Sequence, residues 1–519
     1  MSSREPATGP EPLLHGLAVR LRDGATRWLA GAGTAGRGDL QPTLCLYVSV
    51  GLVAGTLIAL QIAIMRIFAT GSSAHFGSMA VSLAMLGFGL ASAIMCIGKG
   101  WFERNWQSVA HLSLLLFGPL IVAANLAAQQ IPVNAALVVI DPGETWRLAG
   151  NFLLYMLPFL PGAFFLGTVF LKAQRSFGRI YFADLTGSGL CGLLVLAAVA
   201  VVPPEHLLLV PLLLWLAGSA LWLVALGRTR AITWVAAAAA VCAAVHLAAY
   251  DASPMPAAAA ELAGASYLQP TSAMLPADRL DLLHGGRGDL LVWATLGIAS
   301  IAALSLVLLP LLFGWRSIFS RSPGKLRTIV YFACLGAGYI MVEVGLIAKF
   351  MPVLGDAIVS ASVLITGMLV FSGLGSLVSE HHLDRAREVM PRIFLAIGAL
   401  LIGYGLALDG MLEWVGTLPY AVRLVFCFAL ILPPAFLMGF PMPVAMSWLA
   451  RLGKDHMFLW AWGINGCFSV VGAALVPAIA ASLGLAAVLT VSGLAYLLAI
   501  VGFFAILLPL AGPRAREAT

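Results

Sequence analysis

Glu343 stands in the stretch GYIMVEVGLIAKF (338–350), with about fifteen almost unbroken apolar or small residues before it and Lys349 six residues after it. A charged side chain at the centre of a bilayer costs ~2.5–3.5 kcal/mol on insertion scales. Such a residue faces protein or water, finds a partner, or is neutral. A carboxyl buried without a partner can take up a proton near neutral pH, which is the chemistry of a proton-coupling site. Four more polar residues share this setting: Gln61 and Arg66 in LQIAIMRIF (60–68), Asp184 in YFADLTG (181–187) and Asn465 in WGINGC (462–467). Glu343, Gln61, Arg66, Asp184 and Asn465 are the candidates for contact with a solute or a coupling ion; His75 and Lys349 are outer-face candidates.

Each has a plainer reading beside the functional one. Glu343 would pair with Arg66 and fix register across a helix interface, or Arg66 would reach the headgroups on its own. Asp184 is placed near the start of its helix, where an acid suits the macrodipole and Arg175 and Arg179 are close in sequence. The other reading makes Asp184 a gate residue or a contact for a cationic solute. Asn465 reads as an interhelical hydrogen bonder. His75 has no second histidine three or four residues away, so no metal is expected. The seven cysteines all lie in apolar segments without metal-type spacing and read as small buried hydrophobes. GAGTAG (31–36) follows no strand and opens no clear helix, so it lacks the context of a phosphate loop. No nucleophile constellation emerges. The expectation is a non-enzyme without cofactor, metal or nucleic-acid partner.

The elements that must hold these residues are set by composition. Of 519 residues, 61% are hydrophobic and only 10% charged, against about 25% charged in soluble domains. Apolar runs of about 20 residues recur from Leu44 to Leu510, each long enough to cross a ~30 Å hydrocarbon core. Continuous runs, rather than alternation, specify helices. The spans are placed at 43–68, 75–98, 107–128, 149–171, 181–202, 206–227, 231–250, 290–313, 328–351, 354–378, 392–412, 422–449, 457–482 and 484–510, about fourteen in all. With the N-terminus in the cytoplasm, 23 of the 29 basic residues fall in cytoplasmic segments. That split obeys the positive-inside rule through every loop and puts both termini in the cytoplasm. The stretch 13–31 reads equally as an interfacial amphipathic helix or as a tail.

The chain also repeats itself. Residues 60–92 resemble 342–376, with Gln61 opposite Glu343, Arg66 near Lys349, and GLAS opposite GLGS. PGAFFLG (161–167) matches PPAFLMG (433–439), and ADLTGSGLCG (183–192) falls opposite WGINGCFSVVG (462–472). Helices one to six thus correspond to nine to fourteen. Because six is even, the two halves run in parallel about an axis along the membrane normal, as in major facilitator transporters. The organisation is a cytoplasmic tail (1–42), a first six-helix repeat (43–227), a two-helix insert (228–327) with external loop 251–289, a second repeat (328–510) and a short cytoplasmic tail (511–519). Prolines 158 and 161, and 433, 434, 441 and 443, predict kinks in the two symmetry-related fourth helices. GKGWFERNWQ (98–107) is read as the loop between helices two and three, and it lacks the loop pattern typical of the facilitator superfamily.

RIFATGSSAHFGSMAVSLAMLGFG, IYFADLTGSGLCGLL (180–194) and the long stretch from Gly338 to Ser376 resemble the membrane portion of bacterial proteins fused to a spermidine synthase-like domain. LPADRLDLL (275–283) resembles a remnant of that domain's end, but the 251–289 loop is too short to hold a synthase fold. The resemblance implies an all-α, facilitator-like inner-membrane protein of a bacterium, in contact with the lipid bilayer, without aminopropyl transfer. The expected function is secondary transport of a small solute, an organic cation being the class the resemblance suggests. The alternative is a non-transporting membrane scaffold that docks a separately encoded, soluble synthase-like enzyme.

Overall fold

The computed structural model describes residues 40, 43–71, 77–131, 142–173, 176–199, 201–203, 206–251, 325–355, 357–452 and 455–507. These are almost entirely helical. The first half holds α1 (Leu44–Gly71), α2 (Gly77–Ile97), α3 (Lys99–Gln129), α4 (Pro142–Met156), α5 (Phe159–Lys172), α6 (Phe177–Val199) and α7 (Leu209–Ala225). After α8 (Ile232–Asp251), the second half holds α9 (Lys325–Leu354), α10 (Ala357–Ser379), α11 (Ala386–Gly416), α12 (Tyr420–Met438), α13 (Pro441–Arg451), α14 (Asp455–Leu483) and α15 (Leu485–Leu507). Among the described residues ten helical stretches are long and apolar enough to cross a membrane, with Leu83–Ile97 and Leu209–Ala225 as shorter apolar helices. Every predicted span coincides with a described helix or helix pair except 290–313, which lies outside the described residues, as do the 13–31 stretch, GAGTAG, the 251–289 loop apart from Asp251, and His75.

The second and third helices are not joined by a ten-residue loop. GKGWFERNWQ is mostly the start of α3: Lys99 and Glu103 pair at 3.4 Å across one turn. The helix is distorted only at Asn105, whose amide donates to the Trp101 carbonyl at 3.0 Å. The fourth helix of each half is broken, as the prolines predict. In the first half the chain turns at Leu157–Pro158, because Pro158 has no N–H to continue the ladder. In the second half the break falls at Gly439–Phe440, with Pro441 opening α13 at a position where a missing N–H costs nothing. Pro433 and Pro434 lie inside α12.

The packing of one half recurs in the other. Helix α1 packs on α6 and α7; its counterpart α9 packs on α14 and α15. Helix α2 packs on α5, and α10 on α12. Small residues permit these approaches, since without a hydrophobic drive between helices in lipid, close van der Waals contact does the work. A Cβ on Gly187 would lie 2.3 Å from the Gly51 Cα, and one on Gly336 would lie 2.1 Å from the Asn465 carbonyl oxygen. The halves meet along two seams, α2 on α14 and α6 on α10. Gly89 faces Gly466 on one seam, and Gly373 faces Leu185 and Thr186 on the other. The second pieces of the broken fourth helices also reach across, α5 to α14 and α13 to α6.

Candidate functional site

Helix α6 carries Phe177, Tyr181, Asp184 and Ser188, spaced four, three and four residues apart, so they form one stripe. Residues 281 further along the chain, Phe458, Trp462, Asn465 and Ser469, form the same stripe on α14. Helix α9 presents Gly336, Tyr339 and Glu343 by the same rule. Three of these polar residues (Tyr181, Asp184 and Tyr339) are half-buried. Glu343 is buried, with 6% of its surface exposed.

The groups approach one another in order. Tyr181 is within electrostatic reach of Asp184, and Tyr339 is within reach of both Tyr181 and Glu343. Tyr496 on α15 is within reach of Tyr181 as well. The Tyr339 hydroxyl lies 3.2 Å from Ser372 Oγ on α10, and Ser372 donates to the Met368 carbonyl at 2.5 Å. With that proton committed, the phenol is the donor. The result is an interior line, Asp184, Tyr181, Tyr339, Glu343, that crosses from the first half to the second. Among the described residues, neither carboxyl has a hydrogen bond or an ion pair.

Several expectations are corrected here. Glu343 does not pair with Arg66, which is half-buried and has its interaction elsewhere. Asp184 is not at a helix N-terminus: α6 begins at Phe177, two turns earlier, so the macrodipole does not account for the acid. Arg179 is not its partner; the guanidinium Nε bonds Glu380 Oε2 at 3.2 Å, across the seam. Lys349 does not end its helix, which runs on to Leu354. Its ammonium is buried and pairs with Asp409 on α11, so it serves packing within the second half. Gln61 is buried on α1, with 2% of its surface exposed. The Asn465 amide donates to the Phe332 carbonyl at 3.5 Å, an interhelical bond at the long limit.

Sequence reasoning missed Tyr181, Tyr339 and Glu380. The tyrosines were findable, since Tyr181 stands three residues before Asp184 and Tyr339 four before Glu343, both same-face spacings. Glu380 carries no such signal; only the fold brings it to Arg179. An aromatic layer adjoins these residues. Tyr181 stacks on Phe177 at 5.4 Å, and Phe177 meets its own repeat mate Phe458 edge-on at 5.3 Å. Trp462 packs edge-on against Phe88 at 6.1 Å and Phe170 at 5.9 Å. Among the described residues no group of three or more His, Cys, Asp and Glu is placed to hold a metal ion.

No family model and no curated protein matches the chain. Among solved structures it is similar to a mutant of the peptide transporter POT, at 15% identity over 91% of this chain and 96% of that one, with a TM-score of 0.48. It is similar to the major facilitator superfamily transporter FucP in the outward conformation, at 13% identity over 89% and 97%, with a TM-score of 0.40. It is also similar to the proton:xylose symporter XylE, at 13% identity over 89% and 94%, with a TM-score of 0.43. At these values none of them assigns this chain a fold family or a solute.

Proposed function

We propose that this chain is a facilitator-like secondary transporter whose central site, between Asp184 and Glu343, takes a small organic cation in exchange for, or together with, a proton. One observation carries the reading: among the described residues neither carboxyl has a hydrogen bond or an ion pair, and two half-buried tyrosines lie within electrostatic reach of them. A structural acid inside a membrane protein finds a partner. An acid left without one has its partner arrive and leave. The tyrosine rings supply a face on which an alkylammonium group is attracted. The scaffold alternative, docking to a synthase-like enzyme, calls for a filled core; the accessible surface at Tyr181, Asp184 and Tyr339 favours transport. The family resemblance and the loop charges support a bacterial inner-membrane location with both termini in the cytoplasm, as part of the same proposal.

The test uses the purified chain in liposomes loaded with a pH-sensitive dye. A panel of ethylammonium, choline and tetraethylammonium chlorides is added outside. The expected result is a cation-evoked change in internal pH for at least one probe, abolished by Asp184→Asn and by Glu343→Gln in variants that elute as the parent does. A response in the parent that both variants retain would sink the assignment, and so would no response to any cation alongside a response to a neutral or anionic solute.

A further inference from the structure

We propose that the corner of the second half where α9 and α11 begin and α15 ends holds the headgroup of an anionic phospholipid. Three helices meet there. Tyr331 on α9, Phe394 on α11 and Phe503 on α15 are fully buried. Their ring centroids lie 5.9 Å (Tyr331–Phe394), 6.1 Å (Phe394–Phe503) and 6.1 Å (Tyr331–Phe503) apart. Helix α15 also presses on the start of α9: a Cβ on Gly502 would lie 2.7 Å from the Arg327 carbonyl oxygen. Arg327 stands four residues before Tyr331, and Arg387 seven before Phe394. Each arginine therefore shares a helix face with its ring, one or two turns nearer the helix end. Both are exposed, beyond the buried cluster. Arg392 is exposed on another face of α11, one turn before the exposed Leu395.

The depth suits a headgroup. Helix α9 has 30 residues and α11 has 31, about 45 Å of helix each, against ~30 Å of hydrocarbon. Their charged first turns belong to the surplus. The charge is unbalanced as well. Arg327, Arg385, Arg387 and Arg392 stand against Glu388 in these turns, because Asp384 is taken by Arg451 at 2.8 Å. Among the described residues neither Arg327 nor Arg392 is in an ion pair. Basic clusters between helices at this depth attract anionic headgroups, and a guanidinium binds phosphate oxygens two at a time. A lipid fits better than a free anion because the adjoining surface is apolar. Leu395, Val501 and Phe504, each within two residues of Phe394 or Phe503, are 56%, 61% and 47% exposed and offer contact to acyl chains. The first half does not repeat the cluster. Helix α1 opens on LCLY, without a charge, and of the two cations that open α3, Lys99 pairs with Glu103 at 3.4 Å, leaving Arg104.

The test follows the thermal midpoint of the full chain in neutral detergent micelles. Dioleoylphosphatidylglycerol, dioleoylphosphatidylcholine or inorganic phosphate is added at equal phosphate concentration. Phosphatidylglycerol is expected to raise the midpoint by about 3 °C, as a ligand of the folded state does, and the other two to leave it unchanged. Arg327→Gln, Arg387→Gln and Arg392→Gln together should remove most of the rise. Arg104→Gln with Arg230→Gln, exposed cations of the first half, should retain it. The proposal is overturned if phosphatidylcholine does as well, if inorganic phosphate alone gives the rise, if the triple variant keeps it, or if the control pair loses it equally. Should the triple variant not fold, Arg392→Gln alone is read the same way: a smaller rise than in the parent supports the site, and an equal rise overturns it. No solute is carried in this experiment, so its outcome is separate from that of the transporter reading.

Discussion

The two halves of this protein have the same packing and different charges. On the leading helices, Gln61 of the first half stands opposite Glu343 of the second; on the fifth helices, Asp184 of the first half stands opposite Asn465 of the second. Each half therefore has one acid and one amide, at exchanged positions. An amide and its acid are close in size and both accept hydrogen bonds, so the repeat can be kept while only one copy titrates. Asn465 bonds a carbonyl on the neighbouring helix. Gln61, with 2% exposed, is as buried as Glu343, and among the described residues neither it nor the two acids has a hydrogen bond. The difference teaches that duplication supplied the scaffold, and divergence at two positions supplied the acids on which the proposed site rests.

Making the halves alike should break function before it breaks the fold. Glu343→Gln and Asp184→Asn each copy the opposite half. Each should lower cation-evoked proton flux by about 100-fold, the scale of losing one properly placed proton-transfer group, while leaving elution and thermal midpoint close to the parent. A flux loss matched by aggregation would show that the acids are structural. The converse changes, Gln61→Glu and Asn465→Asp, should leave flux reduced by far less.

The shared packing can be broken at Gly187, where a Cβ would run into the Gly51 backbone at 2.3 Å. Gly187→Ala should cost about 1–3 kcal/mol through overpacking, read as a lower thermal midpoint in detergent. Gly403 is the control, because a Cβ there meets nothing within 4 Å; Gly403→Ala should show no loss.

A comparable cost is expected at the Lys349–Asp409 ion pair of the second half. Asp409→Asn leaves the buried Lys349 ammonium without its carboxylate and should destabilise by about 1–3 kcal/mol, with flux per folded molecule unchanged. Reduced flux at full stability would move Lys349 back among the functional residues. The smallest effect is expected at Tyr339→Phe, which removes one hydroxyl and its bond to Ser372 Oγ at 3.2 Å. The loss of one neutral hydrogen bond, about 1 kcal/mol, should lower apparent cation affinity about fivefold, measured as a shift in the concentration giving half-maximal flux.

Much of the architecture was legible without coordinates. Apolar length located the helices, and the prolines located the breaks in the fourth helix of each half, because Pro158 and Pro441 lack the N–H a continuing helix needs. The reading failed where polar residues extend a helix beyond its apolar run. Lys99 to Trp106 look like a loop by composition but close helical turns, and α6 starts four residues before its apolar run. That early start changed the meaning of Asp184 from a helix-terminal acid to an interior one. The same limit applied to Lys349, whose partner Asp409 is 60 residues away on another helix.

The sequence by itself determined that the chain crosses a membrane many times as helices, that it is internally duplicated, and that a few polar residues stand in apolar runs. Those features are local or periodic: backbone groups in lipid must bond within their own segment, and duplication leaves matched spacings in the text. Only the tertiary structure decided which polar residues are left without partners. Arg179 and Asp184 look like a pair when distance is counted along the chain, and Arg66 and Glu343 when the two repeats are set opposite each other. In space Arg179 goes to Glu380 and Lys349 to Asp409, because helix packing, set by small residues at the seams, fixes which side chains come within reach of one another.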